Sequence, residues 1–226
     1  MIVGLGGLAL LAVCGIGSYF LLADEWQGRS MRAAEVAAEP SVAARDISSR
    51  AVDPAPLTIK EVYPEERLVI ASGGKAYQLL KTEAVDDCRM AATQQISGLL
   101  QRLGCNQVVR GTLRTSDGRY LLTSGIFNLN DATGAGQARE QIKPMVTGGR
   151  ERFLGMAAGT GTEPVATANT QVGWHVRGHF LVYCVLAQAD GQPIASTDAD
   201  AQRVMFEVIE QYLRGAVLER RATAPR

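Results

Sequence analysis

The feature that most constrains this chain is an uncharged run at its N-terminal end. Residues Ile2–Ala23 carry no charged side chain and are mostly apolar. A helix of that length spans about 33 Å, which matches the hydrocarbon core of a bilayer. Tyr19 and Trp26 fall where an interfacial aromatic belt would lie. The run therefore predicts a transmembrane helix over residues 1–23, with the lipid bilayer as a partner through residues 2–23.

A cleaved signal peptide and a lipoprotein signal are the alternative interpretations of this run. The apolar region of a signal peptide is usually only about 7–15 residues long, and cleavage after Ala23 would place the bulky Leu21 at the −3 position. The lipoprotein interpretation requires Cys14 as the modified residue, but Val13 precedes it where a small residue is expected. A retained anchor fits the run best.

The orientation of the anchor depends on the charges that follow it. Residues 24–56 contain four arginines, which by themselves lean slightly toward a cytoplasmic C-terminal side. Asp24 and Glu25, however, follow the apolar run directly. We favour a single-pass protein of the cell membrane whose C-terminal domain lies outside the cytoplasm.

The remaining sequence divides by its pattern into three parts. Residues 24–56 lack an apolar period and contain Pro40, Pro54 and Pro56, which is typical of a flexible tether. Residues 57–219 alternate between strand-like and helix-like periodicity and predict one α+β domain outside the cytoplasm. Residues 220–226 predict a frayed, basic tail.

Hairpins next to helices indicate an antiparallel sheet with helices packed on one face, in a ferredoxin-like or related sandwich. Apolar residues at three- and four-residue spacing predict helices over Cys88–Leu103, around Ala138–Met145 and over Asp198–Glu219. Period-two runs and turn residues predict strands over Leu57–Tyr63, Arg67–Ala71, Lys75–Thr82, Cys105–Thr115, Arg119–Leu129, Arg152–Ala157 and Gln171–Gln188, the last of which is one long strand or two joined at Gly178.

Three cysteines lie outside the predicted span and are the disulfide candidates: Cys88, Cys105 and Cys184. An odd number allows at most one internal bond and leaves a thiol. Cys88 and Cys105 bracket the first predicted helix, and a straight helix would hold them too far apart to bond. Cys105 and Cys184 share the parity of core-facing neighbours and could join two strands. A reduced, buried state for all three is the alternative.

Basic side chains on two predicted strands form the one candidate ligand site, which we call the arginine–histidine set. It comprises Arg110, Arg114, His175, Arg177 and His179. Arginine and histidine side chains on a sheet face can bind a carboxylate or phosphate. A metal is not expected, because four strand residues separate the two histidines by about 13 Å and Arg177 lies between them. The simpler interpretation is a solvated polar face.

No catalytic or cofactor motif occurs, so we predict neither an enzyme nor a bound cofactor or metal. Basic and acidic residues both number 23, which argues against nucleic acid as a partner. The function that fits best is a non-enzymatic interaction module that binds an envelope or membrane protein. The alternative is a membrane-tethered sensor for a small anionic ligand, with the arginine–histidine set as its site.

Several short segments carry a likeness to a known group: Glu61–Pro64, Asp87–Cys88, Gly104–Arg110, Asp117–Tyr120 and Thr123–Asp131. Through them the domain resembles a group of single-pass, membrane-anchored proteins of high-GC actinobacteria for which no activity is known. The likeness covers residues 57–215, and it implies an exported domain on one anchor. It also makes a bond between Cys88 and Cys105 more plausible than helix geometry does.

Overall fold

Six strands in the described part of the chain pair into one antiparallel sheet, in the order β1-β2-β3-β4-β6-β5. A computed structural model describes residues 45–70, 74, 76–167 and 169–223. The strands are β1 Arg67–Val69, β2 Ala76–Val85, β3 Gln107–Thr115, β4 Tyr120–Asn128, β5 Gln171–Arg177 and β6 Phe180–Gln188.

Helices precede, connect and follow these strands, so the predicted α+β class is confirmed. None of the described helices is long and apolar enough to cross a bilayer, and the predicted span Ile2–Ala23 lies outside the described residues. The helices are α1 Ile59–Val62, α2 Gln94–Arg102, α3 Ala132–Thr147 and a C-terminal helix, which runs as α-helix over Ala199–Phe206, as π-helix over Glu207–Leu218 and as α-helix again over Glu219–Thr223.

Both faces of the sheet are buried, as β4 shows most clearly. All nine of its residues are buried. Leu122 and Ile126 belong to one hydrophobic core, while Leu121 and Phe127 belong to a second. Successive strand residues point to opposite faces, so the two cores lie on opposite sides of the sheet.

The prediction that helices pack on one face is therefore wrong. The C-terminal helix covers the first face and contributes Val208 and Leu213 to its core. Helices α2 and α3 cover the second face with Leu100 and Ala138, and Phe153 joins them. The reason is visible in β4 and β6, which are apolar at both parities and so require cover on both sides.

Segments that the sequence analysis assigns to the tether and the tail pack on the domain. Ile47 joins the first core, and the backbone N–H of Arg45 donates to the carbonyl of Ala222. Asp53 is fully buried, and Arg221 is only 5% exposed. Both ends of the described chain therefore contribute to the folded unit.

Two predicted strands take other forms. The segment Leu57–Tyr63 forms α1, because the Thr58 side chain accepts a hydrogen bond from a backbone amide three residues later and caps a helical turn. The segment Arg152–Ala157 crosses the second face as an extended loop, with a single bridge at Phe153. Its apolar residues face the core without belonging to the sheet.

Cys88 and Cys105 form a disulfide, with their Cα atoms 6.4 Å apart. The helix predicted from Cys88 would have kept them apart. In the structure, a short 3-10 turn spans Cys88–Ala91 and α2 begins only at Gln94, so the chain bends back toward Cys105. Cys184 lies buried in the first core as a free thiol.

Candidate functional site

The structure does not bring the arginine–histidine set together. Arg110 and Arg114 share the parity of Val108, which lies in the second core. His175 and Arg177 lie on β5, where they are paired with residues of the first core. The two groups therefore lie on opposite faces, and strands β4 and β6 separate β3 from β5. The predicted anion surface does not exist as one site.

Arg110 has a structural role on the second face. It is 5% exposed. Its Nε donates to a carboxylate oxygen of Glu83 at 2.7 Å, and its Nη1 donates to the carbonyl of Met90 at 2.8 Å. Burial raises the pKa of the neighbouring Tyr183, and the positive charge of Arg110 opposes that rise. The guanidinium thus joins β2, β3 and the turn that precedes α2.

The other members of the set have local partners. The Nη2 atom of Arg177 lies 2.7 Å from a carboxylate oxygen of Glu219, in an exposed ion pair. His179 sits in the β5–β6 turn and is fully buried, with its Nδ1 2.9 Å from the carbonyl of Ile47. A carbonyl only accepts, so this nitrogen carries the proton. Burial lowers the pKa of His179 and favours its neutral form.

Four charged side chains, of which Asp53 and Arg221 are buried, form an ionic cluster near the two ends of the described chain: Asp53, Arg221, Glu61 and Arg45. Arg221 donates to both carboxylate oxygens of Asp53, at 2.6 and 3.0 Å, and to Glu61 at 2.7 Å. Arg45 also pairs with Asp53. The charges neutralise one another, so the cluster fastens the segment 45–56 to the C-terminal helix.

Tyrosines and acids meet at the opposite end of the C-terminal helix, around a cavity of about 20 Å³. The hydroxyl of Tyr120 donates to Asp198 at 2.7 Å, and the hydroxyl of Tyr77 donates to Glu207. Burial raises the pKa of both tyrosines, and the acids add to that rise. The space is enough for about one water molecule, so the group seals the helix against the sheet.

Hollows of about 430 and 520 Å³ border α3. One carboxylate lines each hollow, Glu151 the first and Asp131 the second, and both cap helices. Glu151 accepts from the hydroxyl of Thr93 at 2.6 Å and from an amide of α2, and Asp131 accepts from the amide of Gly134 at 2.8 Å. Backbone hydrogen bonds lower the pKa of Asp131. Across the described part of the chain, no group of three or more histidine, cysteine or acidic residues could hold a metal ion.

Strand β5 offers a different kind of site, because it lies at the border of the sheet. Its inner neighbour is β6. On the outer side, the backbone of residues 171–177 has no backbone partner among the residues that the structure describes. All seven residues are half-buried, so the strand is neither fully exposed nor covered. We call this outer side of residues 171–177 the β5 edge.

The turn at Gly178 determines which backbone groups point outward. The loop has two residues and Gly178 has φ +56°, as a type II′ turn requires. The closing pair of such a hairpin is hydrogen-bonded, and bonded pairs then alternate along the strands. Val172, Trp174 and Val176 fall in the intervening pairs. Their N–H and C=O groups therefore point away from β6, along the β5 edge.

Side chains around the β5 edge hold it in place. Trp174 packs on Phe153 with ring centroids 5.9 Å apart, and its indole N–H donates to the carbonyl of Arg139 at 3.3 Å. The Nδ1 of His175 lies 3.0 Å from the carbonyl of Val176. This contact agrees with an outward-pointing carbonyl, since the carbonyl is reachable by a side chain from outside the ladder.

The opposite border of the sheet is shorter. Strand β1 has three residues, and its Val69 is 59% exposed. A short strand offers few backbone groups for pairing, which is a common way of protecting an edge. Strand β5 is the longer of the two borders.

Sequence reasoning missed the role of Val172, Trp174 and Val176. Their alternation with polar residues was visible, and the bend at Gly178 was predicted as one of two alternatives. Strand order, which makes β5 a border, was not predictable from these residues.

No protein-family model, curated protein or solved structure matches the chain.

Proposed function

We propose that this chain is a membrane-anchored interaction module of the cell envelope, which binds a protein partner along the β5 edge. The observation that carries the proposal is the row of outward N–H and C=O groups on Val172, Trp174 and Val176. An extended segment of another protein can add to such an edge as a further strand. Backbone hydrogen bonds supply affinity in this mode, and alternate side chains supply specificity.

The side chains of β5 support this mode of binding. Valine and tryptophan favour strands and pack well against a neighbouring strand. Val172, Trp174 and Val176 present one apolar row, while on the other face Met205 and Ile209 of the C-terminal helix pack over Gly173. The partner would thus meet an apolar row on one face and, on the other, the polar His175 beside these helix side chains.

The position of the module at the membrane rests on the apolar run Ile2–Ala23. The disulfide between Cys88 and Cys105 supports a domain outside the cytoplasm, because disulfides persist in oxidising compartments and are rare in the cytosol. The charged groups described above serve caps, ion pairs and the two cores. These uses favour a binding scaffold over a ligand sensor.

Replacing Val172 with proline tests the proposal in cells that produce the full chain. Proline removes one outward N–H group and is tolerated on edge strands where that group faces solvent. Val172→Thr is the matched control, since threonine keeps the N–H group and the β-branched shape. We expect the wild type and Val172→Thr to label the same envelope proteins in proximity labelling, and Val172→Pro to lose at least one of them.

Two results would count against the proposal. One is an identical set of labelled proteins for Val172→Pro and Val172→Thr at equal abundance and equal thermal stability. The other is recovery of the uncleaved full-length chain in the soluble fraction after cell breakage, because the proposed anchor should release the chain only with detergent.

A further inference from the structure

The sequence of β5 suggests what the partner is. The strand reads Gln171-Val172-Gly173-Trp174-His175-Val176-Arg177. Around Trp174 it is nearly symmetric, since a valine lies two residues away on each side. A strand with this pattern can pair with an antiparallel copy of itself, with Trp174 at the twofold axis. Whether this register is sterically and electrostatically possible then depends on Gly173 and His175 and on the polar ends, Gln171 and Arg177.

We infer that the partner is a second copy of this chain, bound through antiparallel β5–β5 pairing centred on Trp174. This inference deepens the proposed function and rests on it. In this register Val172 of one copy faces Val176 of the other, and Trp174 faces its own copy. The outward backbone groups meet in three pairs with two bonds each, which is on the order of six hydrogen bonds.

The other face of the strand fits the same register. Gly173 lies opposite His175 of the other copy, so the imidazole ring would meet Met205 and Ile209, which cover Gly173, and no side chain of β5 itself. Gln171 lies opposite Arg177, so no like charges face each other, and like charges directly opposite would destabilise the pair. Glu219 already neutralises Arg177 within its own chain. Dimerisation thus brings no unpaired charge into the interface.

The helix beside β5 extends the apolar contact. A Cβ atom at Gly173 would lie 3.4 Å from the sulfur of Met205 and 2.8 Å from Cδ1 of Ile209, so this part of the helix packs directly on β5. The next residue, Phe206, is 56% exposed. A large exposed aromatic ring on the helix that packs on this border strand is typical of a contact surface.

The carbonyl of Val176 remains usable in this arrangement. The imidazole of His175 lies beside it, but a carbonyl oxygen has two lone pairs and can accept a second hydrogen bond.

The symmetric register specifies which residue of one copy faces which residue of the other. A strand edge that bound any extended segment would have no such fixed pairs, so cross-links at single positions distinguish the two.

Cysteine cross-linking of the full chain in detergent tests the register. The background variant is Cys14→Ser, which removes the thiol near the N-terminus, while Cys184 is buried and Cys88 and Cys105 are bonded to each other. In a bonded antiparallel pair the Cα atoms are about 5.5 Å apart, within disulfide range. Trp174→Cys should therefore form a covalent dimer on mild oxidation.

The off-axis positions provide matched controls. The two copies of residue 172 would lie about 14 Å apart along the strands, so Val172→Cys alone should not cross-link, and neither should Val176→Cys alone. A mixture of these two variants, carrying tags of different mass, should give the mixed dimer at least about tenfold above either variant alone. The mixed pair keeps Trp174, so it does not depend on the folding of the Trp174→Cys variant.

The outcomes separate the inference from the proposed function. Equal cross-linking of all variants, or no cross-linking of the mixture, overturns the β5–β5 dimer. If Val172→Pro still loses a different labelled protein in that case, the β5 edge binds another partner and the proposed function stands. If Val172→Pro changes neither the labelled proteins nor the cross-linked fraction, both fail.

Discussion

Replacing Arg221 with methionine tests how the two ends of the described chain are held together. The Arg221 guanidinium makes two hydrogen bonds to Asp53, two to Glu61 and one to the carbonyl of Ala55. Methionine preserves much of the volume of the side chain and removes all five bonds. Among the residues that the structure describes, the carboxylate of the fully buried Asp53 then keeps only its contact with Arg45.

The expected cost follows from the burial of the two partners. Breaking a buried ion pair by removing one partner costs about 3–5 kcal/mol, because the remaining charge stays buried. Glu61 is partly exposed and can regain water, and Arg45 still neutralises Asp53 in part. We therefore expect the lower end of that range, about 3 kcal/mol. For a domain of this size, that loss lowers Tm by roughly 6–12 °C.

Thermal and urea unfolding of the full chain in detergent measure this loss. Arg214→Met is the control, because its pair with Glu210 is a partly exposed i,i+4 contact on the same helix and contributes about 0.3–0.5 kcal/mol. The double variant Asp53→Asn, Arg221→Met should be more stable than Arg221→Met alone, since it removes the orphaned charge. If Arg221→Met and Arg214→Met unfold at the same temperature, the cluster does not stabilise the fold as argued.

Two further predictions concern the disulfide and the buried histidine. Cys88 and Cys105 are 17 residues apart, so reduction should cost about 3 kcal/mol by the loop-closure relation, measured as a lower Tm in reductant, and an unchanged Tm would contradict this. Burial lowers the pKa of His179, so its contribution to stability is complete above the unfolded pKa of about 6.5 and is lost as pH falls through the folded value. His179→Asn keeps an amide donor for the Ile47 carbonyl, but its side chain does not titrate in this pH range. The difference in unfolding free energy between wild type and His179→Asn should therefore decrease in magnitude or change sign with acidification. A difference that is independent of pH between 7.5 and about 5 would refute the argument.

The parts of the fold that depend on local patterns could be predicted. The hairpin of β3 and β4 follows from two apolar runs around Gly118, whose φ of +71° suits a tight turn. The start of α2 could not be predicted in the same way. Cys88 and Ala92 keep helical spacing, yet a long-range bridge from Ala92 to Phe153 holds that residue in an extended conformation. Periodicity reports which residues are buried, and more than one backbone conformation can bury them.

The sequence of β4 by itself indicates that both faces of the sheet are covered. Leu121 and Leu122 are adjacent, as are Ile126 and Phe127, so β4 is apolar at both parities. Such a continuous apolar run indicates a strand that is covered on both faces. We predicted helices on one face because hairpins usually form sheets that leave one side in water. The apolar run in β4 was the better guide.

The prediction that the arginine–histidine set forms one site was wrong for a different reason. Sequence parity correctly indicates which residues share a face within one strand, so Arg110 belongs with Arg114 and His175 with Arg177. It does not indicate which strands are neighbours or which face of one strand continues as which face of another. Two strands lie between β3 and β5, and both facts require long-range contacts that a single sequence does not reveal.

A weak edge contact suits a chain held in a membrane. Pairing of one seven-residue strand covers less than the roughly 1,200–2,000 Å² typical of a stable interface, so the proposed dimer should dissociate readily in dilute solution. Two copies anchored through Ile2–Ala23 would instead share one surface, and confinement raises their effective concentration without any new contact. Moving the full chain from dilute detergent into vesicles at a high protein-to-lipid ratio should therefore increase the cross-linked fraction of Trp174→Cys severalfold, while Val172→Cys stays near background. An equal rise in both variants would mean that crowding alone, and not the β5 register, brings the chains together.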